Sequence, residues 1–190
     1  MAIREILEVP DPRLKVVSIP VEPHEFGPEL NALVEDMFET MYDAPGIGLA
    51  AIQVGVPKRL LVIDLQPDDP DAPPAESSEE RQKRDRPATK NDPRVFVNPV
   101  ILDPATELST YQEGCLSVPE IFADVDRPAT CRVRYQDLDG NTHEEALEGL
   151  MATCLQHEMD HLEGILFIDH LSRLKRAMVL KKLKKIRQAA

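Results

Sequence analysis

The spacing of apolar residues along the chain predicts two long helices. In residues 29–42, the apolar side chains at positions 30, 33, 34, 37 and 41 share one helical face, and Pro28 suits the first turn. A proline and two glycines within residues 43–48 end this helix. A second apolar segment predicts a helix over residues 147–163, with Gly164 as its C-cap.

Shorter apolar runs predict strands at residues 60–64 and 95–102, while residues 131–135 alternate as a half-buried strand does. Asp139 and Gly140 are typical of a tight hairpin turn, which predicts a returning strand near residues 142–147. Because these strands precede and surround the helices instead of alternating regularly with them, the order favours an α+β fold.

Residues 66–94 interrupt this pattern. They include six prolines and many charged side chains, but no Val, Ile, Leu, Met or aromatic residue. Such a segment buries too little apolar surface to offset the entropy lost on ordering. We therefore predict a flexible surface insertion within a single domain of residues 1–190, since buried strands are predicted on both sides of it.

The end of the chain differs in charge from the rest. The formal net charge is −12, which argues against a general nucleic-acid binder, yet residues 173–190 carry eight Lys or Arg and no acid. A basic amphipathic helix is predicted over residues 171–190, either docked with a solvated basic face or binding an anionic partner. Its apolar residues recur at roughly helical spacing: Leu171, Leu174, Met178, Leu183 and Ile186.

The composition is typical of a globular domain and argues against a membrane-spanning protein. The 190 residues are 42% hydrophobic and 29% charged, as in an ordinary globular domain, and no apolar run is long enough for a transmembrane helix. The N-terminus resembles neither a signal peptide nor a transit peptide. Three cysteines leave at least one without an intramolecular partner, so we expect a cytoplasmic protein whose thiols remain available for metal binding or catalysis.

Residues 157–161 form an HExxH pattern inside the second predicted helix. Positions i and i+4 share one helical face, so His157 and His161 can bind one metal ion, and Glu158 can act as a general base towards water. The alternative is a pair of surface histidines. However, the helix is mostly apolar and therefore expected to be buried, where histidines need partners.

A catalytic metal site usually has three protein ligands and one open position, so a third ligand is needed. In metzincin-type proteases the pattern extends to HExxHxxGxxH, but here Phe167 occupies the last position. A later glutamate, as in thermolysin-like enzymes, is also missing, because no acidic residue follows Asp169 and Glu163 lies too close to the motif. The third ligand is therefore expected upstream.

The three cysteines are the natural candidates for that ligand. Cys131 lies in an alternating strand, where core packing is the simpler role. Cys154 precedes His157 by three residues on the same helical face, and Cys115 follows Gly114, whose freedom allows a close approach to a ligand. Position in the sequence alone favours Cys115 over Cys154 as the third metal ligand only modestly.

Three segments together resemble the signature motifs of bacterial peptide deformylase. In chain order they are GIGLAAIQ at residues 46–53, EGCLS at 113–117 and QHEMDH at 156–161. The resemblance runs from residue 10 to residue 176, nearly the whole chain. It implies antiparallel strands around a central HExxH-bearing helix, with an N-terminal helix and a basic C-terminal helix. It also implies a metal-dependent hydrolase that removes the N-formyl group from N-terminal formylmethionine of newly made polypeptides and releases formate.

The resemblance further implies roles for individual residues. The metal ligands would be Cys115, His157 and His161, with water as the fourth. Glu158 would take a proton from the water and give it to the departing amine. The Gln53 side-chain amide and the Leu116 backbone N–H would form an oxyanion hole. The substrate would be held by residues lining the methionine pocket or pairing with the peptide backbone: Ile47, Gly48, Tyr111, Leu150 and Cys154.

Cofactor and partners follow from the same resemblance. One divalent metal is implied, Fe²⁺ in the cell, with Zn²⁺, Ni²⁺ or Co²⁺ found after purification. The expected partners are formylmethionyl nascent peptides and the ribosome, the latter through the C-terminal helix, with no membrane and no DNA.

An ion pair between Glu113 and Arg127 would brace the metal loop. Phe122 stands where some relatives carry an arginine that contacts the peptide beyond methionine.

Two other functions remain open at this point. An HExxH endopeptidase is disfavoured by the missing downstream ligand. A structural metal site would need a fourth protein ligand, such as Cys154 or His170.

Overall fold

The structure is a computed structural model that describes residues 2–66 and 91–189. In these ranges the α-helices are α1 (Pro28–Asp43), α2 (Gly149–Leu162) and α3 (Arg173–Ala189). The strands are β1 (Gly48–Ala50), β2 (Leu60–Ile63), β3 (Arg94–Pro104), β4 (Leu108–Cys115), β5 (Val118–Pro128), β6 (Thr130–Gln136) and β7 (Thr142–Glu148).

The strands pair antiparallel in two sheets. One sheet has five strands in the order β1-β2-β3-β6-β7, and the other is the hairpin of β4 and β5. The predicted α+β fold with antiparallel strands is therefore confirmed.

Helices cover both faces of the five-stranded sheet. Leu60 and Val62 of β2 pack with Met37 and Met41 of α1, whereas the intervening β2 side chains pack with Leu155 and other residues of α2. All four β2 side chains are buried, which is why this strand is a continuous apolar run. Each large apolar side chain buried in this way stabilises the fold by about 1.5–3 kcal/mol.

The start of the second predicted helix was wrong by two residues. Leu147 was expected to begin that helix, but it lies in β7 opposite Cys131 of β6 and is buried in the core, while Glu148 beside it is exposed. The helix begins at Gly149 and ends at Leu162. Gly164 follows with a φ of +70°, a left-handed conformation that favours glycine after a helix.

The hairpin of β4 and β5 and the short strand β1 were not predicted. The inward positions of β4 and β5 include the charged side chains of Glu113 and Arg127, which hide the apolar alternation that marks a half-buried strand. β1 has only three residues and contains Gly48, which lowers strand propensity.

The C-terminal helix docks through only part of the expected apolar stripe. Leu183 is buried and Val179 half-buried against β5, but Leu174 and Met178 are 74% and 64% exposed. The predicted apolar stripe was therefore wrong at these two positions. The physical reason is tertiary: Val179 and Leu183, one turn apart, pack in the apolar cluster that β5 contributes to, and the spacing of apolar residues along the helix does not specify this partner.

Most of the predicted insertion, residues 67–90, lies outside the described residues. Its described C-terminal edge was placed too late, because Arg94 belongs to β3, where it pairs with Ile63. Within the described part of the chain, no helix is both long enough and apolar enough to cross a membrane.

Candidate active site

One turn of α2 carries three ionisable side chains into the interior. His157, Glu158 and His161 are 8%, 4% and 1% exposed, and the two imidazole rings lie 5.2 Å apart. Both rings can approach a common point, because residues four apart lie on the same face of a helix.

A thiol from the hairpin joins the two imidazoles. Cys115 ends β4 at the tight turn into β5, and its Sγ lies 3.2 Å from Nε2 of His161. The three potential ligand atoms of Cys115, His157 and His161 all lie within 4.8 Å of one another. A thiolate with two imidazoles suits Zn²⁺ or Fe²⁺, so the donor set fits a divalent transition metal.

Glu113 holds one of the imidazoles from behind. Nδ1 of His157 donates to Oε2 of Glu113 at 2.8 Å, which leaves Nε2 of His157 for a metal. Nε and Nη2 of Arg127 donate to the two oxygens of Glu113 at 2.5 and 3.0 Å. The expected ion pair between Glu113 and Arg127 is thus present. Burial alone would raise the pKa of Glu113, but hydrogen bonds from His157 and Arg127 lower it to about 2.

The support continues from Arg127 to the surface. Nη1 of Arg127 donates to Oδ2 of Asp160 at 2.8 Å, and the same oxygen lies 2.7 Å from Nε2 of His170. His170 is therefore hydrogen-bonded to Asp160 and does not belong to the cluster of Cys115, His157 and His161. Cys131 is buried in β6 among core side chains.

Glu158 is a buried carboxyl group beside the ligand cluster. Its Oε2 has no hydrogen-bond partner among the described residues. Burial raises the pKa of Glu158 to about 7, which suits a group that must both accept and donate a proton near neutrality. Gly48 makes room for it: a Cβ on Gly48 would lie 2.5 Å from Oε1 of Glu158.

The pKa values of the two histidines are shifted in opposite directions. Burial alone would lower the pKa of His157, but Cys115 and Glu113 raise it well above its usual value. Burial lowers the pKa of His161 well below its usual value, which favours the neutral imidazole that binds a metal. Nδ1 of His161 has no hydrogen-bond partner in the described part of the chain.

Gln53 approaches the cluster from the short 3-10 helix that follows β1. Its side chain is 1% exposed, and its Nε2 lies 3.6 Å from Sγ of Cys115. Leu116 occupies the turn directly after Cys115, and its side chain lies against Gly46. Both proposed oxyanion donors therefore flank the thiol.

The residues expected to bind substrate lie around Glu158 and the start of α2. Sγ of Cys154 lies 3.9 Å from the carbonyl oxygen of Ile47 and close to Gly48. Leu150 is one turn before Cys154 on the same face of α2. The hydroxyl of Tyr111 lies near Gly149, at the beginning of that helix.

Ser117 and Asp160 were not predicted from the sequence to be site residues. The structure brings Ser117 Oγ within 3.0 Å of Gln53 Nε2 and joins Asp160 to Arg127. Each is a polar residue inside one of the three motifs, which was a sequence signal for a role in the site. That role could not be predicted, because their hydrogen-bond partners are far away in the sequence.

The sequence matches the family described as polypeptide deformylase over residues 3–177. The peptide deformylase of Novosphingobium aromaticivorans is 73% identical over the full length of both chains. That of Erythrobacter litoralis is 72% identical, also over all of both chains.

Solved structures that resemble this chain are also peptide deformylases. The crystal structure of a peptide deformylase from Legionella pneumophila is 41% identical, covers 99% of this chain and 97% of that chain, and superposes with a TM-score of 0.80. The peptide deformylase of Ehrlichia chaffeensis in complex with actinonin is 39% identical, with a TM-score of 0.81 and coverage of 97% and 98%.

Proposed function

Because this chain belongs to the peptide deformylase family, whose members remove the N-formyl group from newly made polypeptides, we propose that Cys115, His157 and His161 bind the required metal and that Glu158 is the general base. The observation that carries this assignment is the convergence of the three ligand atoms, within 4.8 Å of one another, beside a buried carboxyl group. The chain is a metal-dependent hydrolase acting on the N-terminal formylmethionine of nascent polypeptides.

Proton transfer is assigned to Glu158. When bound, the metal ion acts as a Lewis acid that polarises the formyl carbonyl and lowers the pKa of a water molecule. Glu158 accepts a proton from the attacking water and donates it to the departing amine. A pKa of about 7, raised by burial, supports both steps.

Charge on the formyl oxygen is stabilised by two donors, the side-chain amide of Gln53 and the backbone N–H of Leu116. A neutral amide suits this role, because aiming it at developing charge avoids the cost of burying a cation. The position of Gln53 Nε2 beside Cys115 supports the assignment.

The methionine side chain is bound by Ile47, Tyr111, Leu150 and Cys154. Gly48 lies in β1, which is an edge strand of the five-stranded sheet, so its backbone can pair with the peptide in an extended conformation. The absence of a side chain on Gly48 keeps this path next to Glu158 open.

The metal in the cell is proposed to be Fe²⁺, with Zn²⁺, Ni²⁺ or Co²⁺ in purified samples. One thiolate and two imidazoles accept each of these ions, so the ligand set does not select among them. Metal analysis of freshly purified anaerobic protein tests this assignment, and an ion other than Fe²⁺ at full occupancy would contradict it.

We further propose that residues 1–190 form a single catalytic domain in the cytoplasm and that the basic C-terminal helix binds the ribosome. Lys181, Lys184 and Lys185 are exposed on α3 while Leu183 anchors it, which supports a docked helix with a free basic face.

The decisive experiment measures formate released from an N-formyl-Met peptide, with metal content determined on the same sample. We expect formate in proportion to bound metal and none after chelation. An N-acetyl-Met peptide of the same sequence is the control.

Internal cleavage of an unformylated peptide without formate release would instead favour an endopeptidase. A structural metal site would show full metal occupancy, no formate release and loss of the metal in Cys154→Ser.

A further inference from the structure

The side-chain amide of Gln53 is held at both of its polar atoms. Its Oε1 accepts from the backbone N of Ala50 at 2.9 Å, and its Nε2 donates to Oγ of Ser117 at 3.0 Å. The same Nε2 lies 3.6 Å from Sγ of Cys115. The contacts to Ala50 and Ser117 are buried, and Gln53 and Ser117 are themselves 1% and 0% exposed.

These partners fix which end of the amide faces the site. A backbone N–H can only donate, so the atom beside Ala50 must be the amide oxygen. Turning the amide over would place two donors against each other at Ala50 and an oxygen lone pair against the Cys115 thiolate. Both contacts would be unfavourable in a site with little access to water.

Ser117 is itself fixed in place. It directly precedes β5, two residues after Cys115, and its carbonyl oxygen accepts from the backbone N of Val9 at 2.9 Å. The backbone of Ser117 is therefore held next to the thiol, and its buried hydroxyl lies within hydrogen-bond distance of the Gln53 amide. By accepting one hydrogen of the Gln53 amide, it sets the plane of that amide and leaves the second hydrogen on the side of the ligand cluster, available to the formyl oxygen.

We propose that Ser117 is a positioning residue that orients Gln53 for transition-state stabilisation. This inference rests on the proposed role of Gln53 as an oxyanion donor. Ser117 makes no contact with the reacting atoms, and it acts only through the amide. An oxyanion donor works because it is aimed before charge develops, so a loosened amide loses part of its effect.

A double-mutant cycle isolates this action. Ser117→Ala should lower kcat about tenfold, the scale of one neutral hydrogen bond, with KM and metal content unchanged. Gln53→Ala should lower kcat by about 10²–10³, the usual cost of losing one such donor. In the Gln53→Ala background, Ser117→Ala should have no further effect. Rates are expressed per bound metal, so that any loss of folded protein is removed.

A second readout does not depend on activity. In zinc-loaded protein with ¹⁵N-labelled glutamine, the Gln53 side-chain amide is assigned by its loss in Gln53→Ala. Ser117→Ala should shift this resonance pair and speed its exchange with water. Ser18→Ala is the matched control, because Ser18 is also buried but its hydroxyl has no partner among the described residues. It should leave both the resonance and kcat unchanged.

Equal losses of kcat from Ser117→Ala in both backgrounds would overturn the proposal, as would an unchanged Gln53 resonance. Loss of metal from Ser117→Ala with a normal rate per bound metal would also overturn it. Failure of the proposed function is distinguishable, because the wild-type protein would then release no formate. If Gln53→Ala retains normal kcat, the assigned role of Gln53 fails first.

Discussion

At the residue scale, the proposed metal site depends on ligands that arrive from two elements. Cys115→Ala, His157→Ala and His161→Ala should each lose the metal and the activity, because each removes one of three protein ligands. Atomic spectroscopy of the purified variants measures metal per protein. Cys131→Ser is the control, since Cys131 is buried in the core of β6, and it should keep the metal. Full occupancy in Cys115→Ala would refute the assignment.

Glu158→Gln separates binding from proton transfer. The amide has nearly the same shape but cannot accept a proton from water, so turnover should fall by orders of magnitude. Metal content and the affinity for the peptide product should remain close to wild type. Both are measured on the same preparation, the affinity by calorimetry. Near-normal turnover would show that another group takes the proton.

At the element scale, one buried carboxylate, that of Asp64, joins the two chain segments that lead into and out of residues 67–90. Oδ1 of Asp64 accepts from the backbone N of Gln66 at 3.1 Å and of Asp92 at 3.2 Å. Its Oδ2 accepts from the hydroxyl of Tyr42, at the end of α1, at 2.7 Å. The side chain of Gln66 also donates to the carbonyl oxygen of Gly46, in the loop before β1.

Replacing residues 68–90 with a short Gly/Ser linker should therefore leave folding and formate release nearly unchanged. The anchors at Gln66 and Asp92 remain, and the entropy of closing a loop depends only weakly on its length. Thermal unfolding and the deformylation rate measure the outcome. Asp64→Ala is the contrasting variant and should lower Tm, because it removes the acceptor shared by Tyr42, Gln66 and Asp92. A large fall in Tm for the linker variant would mean that the segment packs on the domain.

At the scale of the whole molecule, an acidic protein carries a basic helix on its surface. Changing Lys181, Lys182, Lys184 and Lys185 to Glu should abolish co-sedimentation with ribosomes but spare activity on free formyl-Met peptides. The ribosome is a polyanion, so wild-type binding should weaken steeply as salt rises.

Two controls complete this experiment. Arg132→Gln with Arg134→Gln removes basic side chains from β6, away from α3, and should leave co-sedimentation intact. Leu183, which anchors α3, is retained in every variant. If the wild-type protein does not bind ribosomes at low salt, α3 is a docked helix with a solvated basic face and no docking role.

An element could be predicted from the sequence where its apolar spacing matches the surface on which it packs. It could not be predicted where its packing depends on partners that are distant in the sequence. α1 was predicted to within one residue because its apolar stripe packs on a single surface of the sheet. The β4–β5 hairpin was missed because Glu113 and Arg127 look like surface residues until they pair with each other. In α3, Leu174 and Met178 have the spacing of a buried stripe, but Val179 and Leu183 supply the docked face.

The sequence by itself determined the family, through three motifs in order, and the presence of His157 and His161 on one helical face, since helical geometry depends only on local spacing. Residue spacing left Cys115 and Cys154 both open as the third ligand, and only the resemblance pointed to Cys115. The tertiary structure brings its Sγ beside His161, although the two residues are 46 positions apart in the chain. It also placed Ser117 against Gln53 and raised the pKa of Glu158, which depends on burial by the whole fold. Contacts and desolvation of this kind arise only when distant segments pack together.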